Sequence, residues 1–72
     1  MFNGKAGGEV NNLKVLREKN ELTQTQLAEI LGISVQRYNM YELGKRKLPS
    51  KIAVNISKAL NTSLDEIFLN AS

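Results

Sequence analysis

Apolar residues along this chain recur at helical spacing, and no run alternates with a period of two. From Asn11 onward the pattern is interrupted by capping signals that cut it into short pieces. The first piece, "NLKVLREKN", predicts a helix over about 12–20, with Leu13, Leu16 and Arg17 on one face and Asn11 or Asn12 as N-cap. The second opens on Thr23, with Gln26 three residues on to close a capping box. Leu22 and Leu27 are placed as a hydrophobic staple. Leu27, Ala28, Ile30 and Leu31 form its apolar side, and Gly32 ends it in a left-handed conformation.

Only Ile33 separates Gly32 from the next cap, Ser34, and Ile33 with Tyr38 repeats the staple. The third helix is expected over 35–43, stopping at Gly44. So short a turn implies a steep crossing of the second and third helices rather than an antiparallel pair. Pro49 marks the entry to a fourth helix over 50–60, lined by Ile52, Ala53, Ile56, Ala59 and Leu60, with Asn61 as its C′ residue. Ser63 and Glu66 predict another capping box, opening a short fifth helix around Leu64, Ile67 and Phe68. The expectation is a compact all-α domain of five helices over residues 11–70. It follows a glycine-rich arm over residues 1–10, in which Lys5 is the lone lysine.

At 100° per residue, the third helix separates into two faces. With Tyr38 at the centre of the core face, Tyr41 and Glu42 fall beside it. Gln36, Met40 and Leu43 point away, Arg37 and Asn39 lie on the flanks, and Val35 is intermediate. Every helix has a solvated face, so polarity alone decides nothing. Met40 and Leu43, however, are large apolar groups with no core to enter, and the basic run Lys45, Arg46, Lys47 follows directly. Gln and Asn can bond adenine edges, Arg can bond guanine, and Val and Met can pack on thymine methyls. The basic run can neutralise phosphates beside such a helix. Gln24 and Thr25 sit at a helix N-terminus, where free N–H groups favour a phosphate oxygen.

Composition sharpens this reading by exclusion. The chain has 72 residues, a formal charge of +3, no cysteine and no histidine. The usual general base, thiolate nucleophile and metal ligands are missing together, and no convergent carboxylate pair replaces them. Neither a catalytic site nor a metal or cofactor site is therefore expected. No apolar run is long enough to span a membrane and the N-terminus lacks a signal-peptide core, so a cytoplasmic location is expected.

The stretch "LTQTQLAEILGISVQRYNMYELGKRKLP" resembles the Cro and lambda-repressor-like helix-turn-helix family, also called the XRE family. The resemblance rests on Gln24, Leu27-Ala28, Gly32-Ile33-Ser34 and Glu42-Leu43-Gly44-Lys45-Arg46, and extends to "ISKALNTSLDEIF" at 56–68. It implies that Gln24 contacts a phosphate and braces the recognition helix. Ser34, Val35, Gln36, Asn39 and Met40, with Arg37, would face bases or the adjoining backbone. Lys45, Arg46 and the N–H groups near Leu43 and Gly44 would hold phosphates, with Lys47 beside them, and Arg17 would pair with Glu42 as a structural ion pair. Tyr38 stands where the family usually has an aliphatic residue, and the loop proline falls one residue late.

The function implied is a repressor-like regulator that binds double-stranded DNA at a pseudo-palindromic operator as a homodimer, with no small-molecule ligand. Phe68 is expected to close the core and Leu69 to serve a dimer contact. The competing reading is a protein-binding adaptor or antitoxin module presenting Met40, Leu43 and Leu69, against which the basic loop argues.

Overall fold

The computed structural model describes residues 11–68; the arm expected over residues 1–10 and Leu69 lie outside the described residues. The elements are α1 (Leu13–Lys19), α2 (Gln24–Leu31), α3 (Val35–Leu43), α4 (Ser50–Ala59) and α5 (Leu64–Ile67). All regular structure among the described residues is helical, in the order and close to the boundaries that the caps predict.

The start signals work through the expected atoms. Thr23 accepts the Gln26 N–H while the Gln26 side chain takes the Thr23 N–H, which completes the box at α2. Ser34 accepts the Arg37 N–H at 3.1 Å. At α1 the bond comes from Asn11, whose Oδ1 accepts the Leu13 N–H at 3.0 Å. One signal acts differently from expectation. Ser63 caps α5, but the Glu66 carboxylate takes the Thr62 hydroxyl. Pro49 marks the entry to α4 as expected, as its N-cap with an extended ψ of 148°.

Four helices end alike. Gly32, Gly44 and Asn61 adopt left-handed φ of 73°, 74° and 52°, as their residue types predict. Each is followed by an amide that reaches back five residues, for example Ile33 N–H to the Ala28 carbonyl at 3.0 Å. A Cβ at Gly32 would meet nothing within 4 Å, so glycine serves there through its φ alone. The fourth such end, after α1, is at Glu21 with φ 58°, which no glycine or asparagine signals. There the Leu22 N–H reaches back to the Arg17 carbonyl, and the Leu22 carbonyl accepts from Arg17 Nη1 at 2.7 Å.

The core is built from every helix: Leu13 and Leu16 of α1, Leu27 and Ala28 of α2, Tyr38 and Tyr41 of α3, Ala53 and Ile56 of α4, and Ile67 of α5, with Leu48 and Leu60 from the connections. The chain closes on itself, since the Asn12 N–H donates to the Ile67 carbonyl at 2.9 Å. Two apolar expectations fail here. Ile30 is 58% exposed, because α2 turns Leu27, Ala28 and Leu31 toward the core and Ile30 away from it. Phe68, expected to close the core, is 37% exposed, and Ile67 beside it is fully buried.

Candidate nucleic-acid interface

Helices α2 and α3, joined through Gly32, Ile33 and Ser34, pack against each other and share a polar seam with α1. Glu42 is the hub of that seam. Its Oε2 accepts from Arg17 Nε at 2.6 Å and from the Tyr38 hydroxyl at 2.7 Å. Its Oε1 accepts from Arg17 Nη2 at 3.3 Å and from Gln24 Nε2 at 3.0 Å. A carboxylate offers about four lone-pair sites, and here four donors fill them. The Arg17 and Glu42 side chains are only 10% and 5% exposed, so the ion pair implied by the resemblance is interior.

The electrostatics follow from this packing. The Glu42 hydrogen bond, against the cost of burial, holds the Arg17 guanidinium above its ordinary range. Burial alone would push the Glu42 carboxyl up, but hydrogen bonds from Arg17, Tyr38 and Gln24, with the Arg17 charge, hold it below its ordinary value. Burial, then the bond to Glu42, pushes the Tyr38 phenol well above the usual tyrosine range. Glu42 is therefore an ionised, acceptor-only group at neutral pH.

Away from the seam, Ser34, Gln36, Arg37, Met40 and Arg46 line one open depression of about 470 Å³. Five residues singled out from the sequence thus meet on one surface, Arg46 among them from the loop after α3. Lys45, Lys47 and Thr25 are exposed nearby in sequence, and Leu43 is 55% exposed. Arg37 is not loose, since its Nε donates to the Tyr41 hydroxyl at 3.0 Å.

Three expectations change. Val35 is half-buried and packs against the core, so interior packing accounts for its apolar side chain. The Gly44 N–H is unavailable to a phosphate, because it donates to the Tyr41 carbonyl at 3.1 Å within a buried turn. Asn39 does not present its whole amide outward; its Oδ1 accepts from Gln24 Nε2 at 2.9 Å. The Tyr38–Glu42 bond was available in the sequence as an i, i+4 pair on one helix face. No sequence signal announced the bond of Asn11 Nδ2 to the Tyr41 carbonyl at 2.8 Å, which ties the start of α1 to α3.

A helix-turn-helix family model matches residues 13–67, from the first residue of α1 to the last of α5. The chain belongs to the helix-turn-helix family. The Cro and lambda-repressor-like resemblance and its five-helix fold stand on that match together with the observed element order. This helix-turn-helix chain is 43% identical over 61 residues to a Bacillus subtilis protein named an uncharacterised HTH-type transcriptional regulator, an alignment covering 85% of the chain and 53% of that protein. It is 37% identical over 59 residues to an HTH-type transcriptional regulator of Methanocaldococcus jannaschii, covering 82% of the chain and 89% of that protein. The chain thus spans about half the length of the Bacillus relative. Among the described residues, no helix is long and apolar enough to cross a membrane.

Proposed function

We propose that this helix-turn-helix chain is a sequence-specific, double-stranded DNA-binding transcription regulator whose α3 enters the major groove. The observation that carries the reading is the depression shared by Ser34, Gln36, Arg37, Met40 and Arg46 on the outer edge of a helix whose inner edge is anchored by Glu42. A helix about 10–12 Å across fits a groove about 12 Å wide. Gln36, Arg37 and Met40 are the base-facing residues, with the NH2 end of Asn39 beside them. Ser34, Thr25, Gln24, Lys45, Arg46 and Lys47 take the phosphates, with Gln24 also bracing α3 through Asn39 and Glu42.

One recognition helix reads few base pairs, so the protein acts on DNA as a homodimer. Its two copies of α3 sit roughly 34 Å apart on a pseudo-palindrome. Repression is the regulatory outcome we assign, and the cytoplasm the compartment. Selection of bound sites from random duplex DNA tests the reading. The expected result is a two-fold-symmetric consensus with half-sites about one helical turn apart. Recovery of no enriched duplex at all would overturn it in favour of the protein-binding module.

A further inference from the structure

The Gln24–Asn39 contact bears on sequence preference, although Gln24 itself lies on α2. The orientation of both amides follows from chemistry rather than from shape. Glu42 is acceptor-only, so the group that Gln24 turns toward Oε1, at 3.0 Å, must be its NH2. The same Nε2 lies 2.9 Å from the Asn39 side chain, and a donor there requires that Asn39 answer with its carbonyl oxygen. The carbonyl of Asn39 is thereby turned inward to α2, and its NH2 group is the polar end left over. Asn39 is half-buried in α3, between the anchored and the reading edges.

We infer that Asn39 determines specificity as a hydrogen-bond donor only, its amide orientation set by the relay Glu42–Gln24–Asn39, so that it selects base edges that offer acceptors. Guanine, with O6 and N7, offers two acceptors to the two N–H donors of one NH2 group, whereas thymine O4 and adenine N7 each offer one. Adenine N6 and cytosine N4 are amino groups that need an acceptor, and Asn39 turns none toward the groove. The adenine contact usual for asparagine, which needs both ends of the amide, is the one this relay disfavours. The inference rests on the DNA-binding reading above and adds to it a residue-level rule.

Selection from random duplexes, run with the full chain and with Asn39→Ala, Gln24→Ala and Asn39→Asp, tests it. The position flattened by Asn39→Ala is the one Asn39 reads. The parent chain should favour guanine there over adenine and cytosine by roughly tenfold. Gln24→Ala leaves Glu42 paired to Arg17 and keeps the Thr23–Gln26 box, and it frees Asn39 to turn over. It should admit adenine at that same position. Asn39→Asp still offers Gln24 an acceptor but turns a second one outward, so preference should move to cytosine or adenine. A melting curve for each variant confirms that it is folded.

A parent preference for adenine at that position would overturn the inference. So would Gln24→Ala lowering affinity for all sequences alike, which would make Gln24 a phosphate contact alone. A clear consensus in which Asn39→Ala flattens no position overturns this inference and leaves the DNA-binding reading standing. No consensus from the parent chain removes both.

Discussion

The two edges of α3 carry similar side chains in different states. On the inner edge, Glu42 has all of its lone-pair sites occupied, by Arg17 of α1, Tyr38 of α3 and Gln24 of α2. On the outer edge, Gln36 has no hydrogen-bond partner among the described residues, and Met40 is only half-buried in an open depression. A buried polar group must be fully paired, because an unmade bond there costs the whole desolvation of the group. Exposed polar groups can wait for a partner, since water pairs them meanwhile. Rigidity on one edge and unsatisfied capacity on the other are what a reading helix needs: its side chains must be presented at fixed positions yet have bonds left to give.

The strongest way to break this contrast is Glu42→Ala. It strands the buried Arg17 charge and orphans Tyr38 and Gln24, so a loss of about 3–5 kcal/mol is expected. A domain of this size has little more than that to lose. Thermal melting should show a chain largely unfolded at room temperature; a change in midpoint of under a few degrees would place the anchor elsewhere.

Acid tests the same edge without mutation. The Glu42 carboxyl is held below its ordinary value of 4.5, so the stability it contributes is present above that value and lost as pH falls through the lower folded value. Melting temperature should therefore drop as pH is lowered from 6 toward 3, and the drop should be shallower in Glu42→Gln. Tyr38 has the opposite sign. Its phenol is raised, so its contribution is intact below the ordinary value of 10.0 and is lost only as pH rises beyond it.

On the outer edge, Gln36→Ala should leave melting unchanged within about 0.5 kcal/mol. It should relax preference at one base pair by roughly 1–3 kcal/mol, read in selected sites or competition binding. An equal loss for all sequences would make Gln36 a backbone contact. The mildest test is Arg46→Ala, which should weaken binding to every duplex and reduce the slope of log affinity against log salt by about one. An unchanged slope would remove Arg46 from the phosphates.

The fold was largely legible because its punctuation is local. Thr23 with Gln26, Ser34, Gly32 and Gly44 each act on backbone atoms a few residues away, so spacing alone identifies them. Ile30 was misjudged because an eight-residue helix has several apolar residues to offer and packs only one edge of them. Phe68 differs for the same reason: at the end of a four-residue helix, periodicity cannot say how far each of two apolar neighbours turns inward, and only Ile67 does so fully. Glu21 carries no such signal, since its side-chain type does not favour the left-handed φ that it adopts.

The candidate site divides the same way. A helical wheel was enough to set Gln36 and Met40 outward and Tyr38, Tyr41 and Glu42 inward, because α3 is regular and its angles are set by the 3.6-residue repeat. Whether the Arg17–Glu42 pair was buried, and that Val35 leans on the core, depended on how α1 and α2 close around α3. The orientation of Asn39 depended on Gln24, fifteen residues earlier in the chain. The sequence by itself determined where helices begin and end and which face of α3 is polar, since these are interactions between near neighbours. Only the tertiary structure decided which polar groups pair with one another, because a hydrogen bond between helices requires both side chains to arrive at one point from distant parts of the chain.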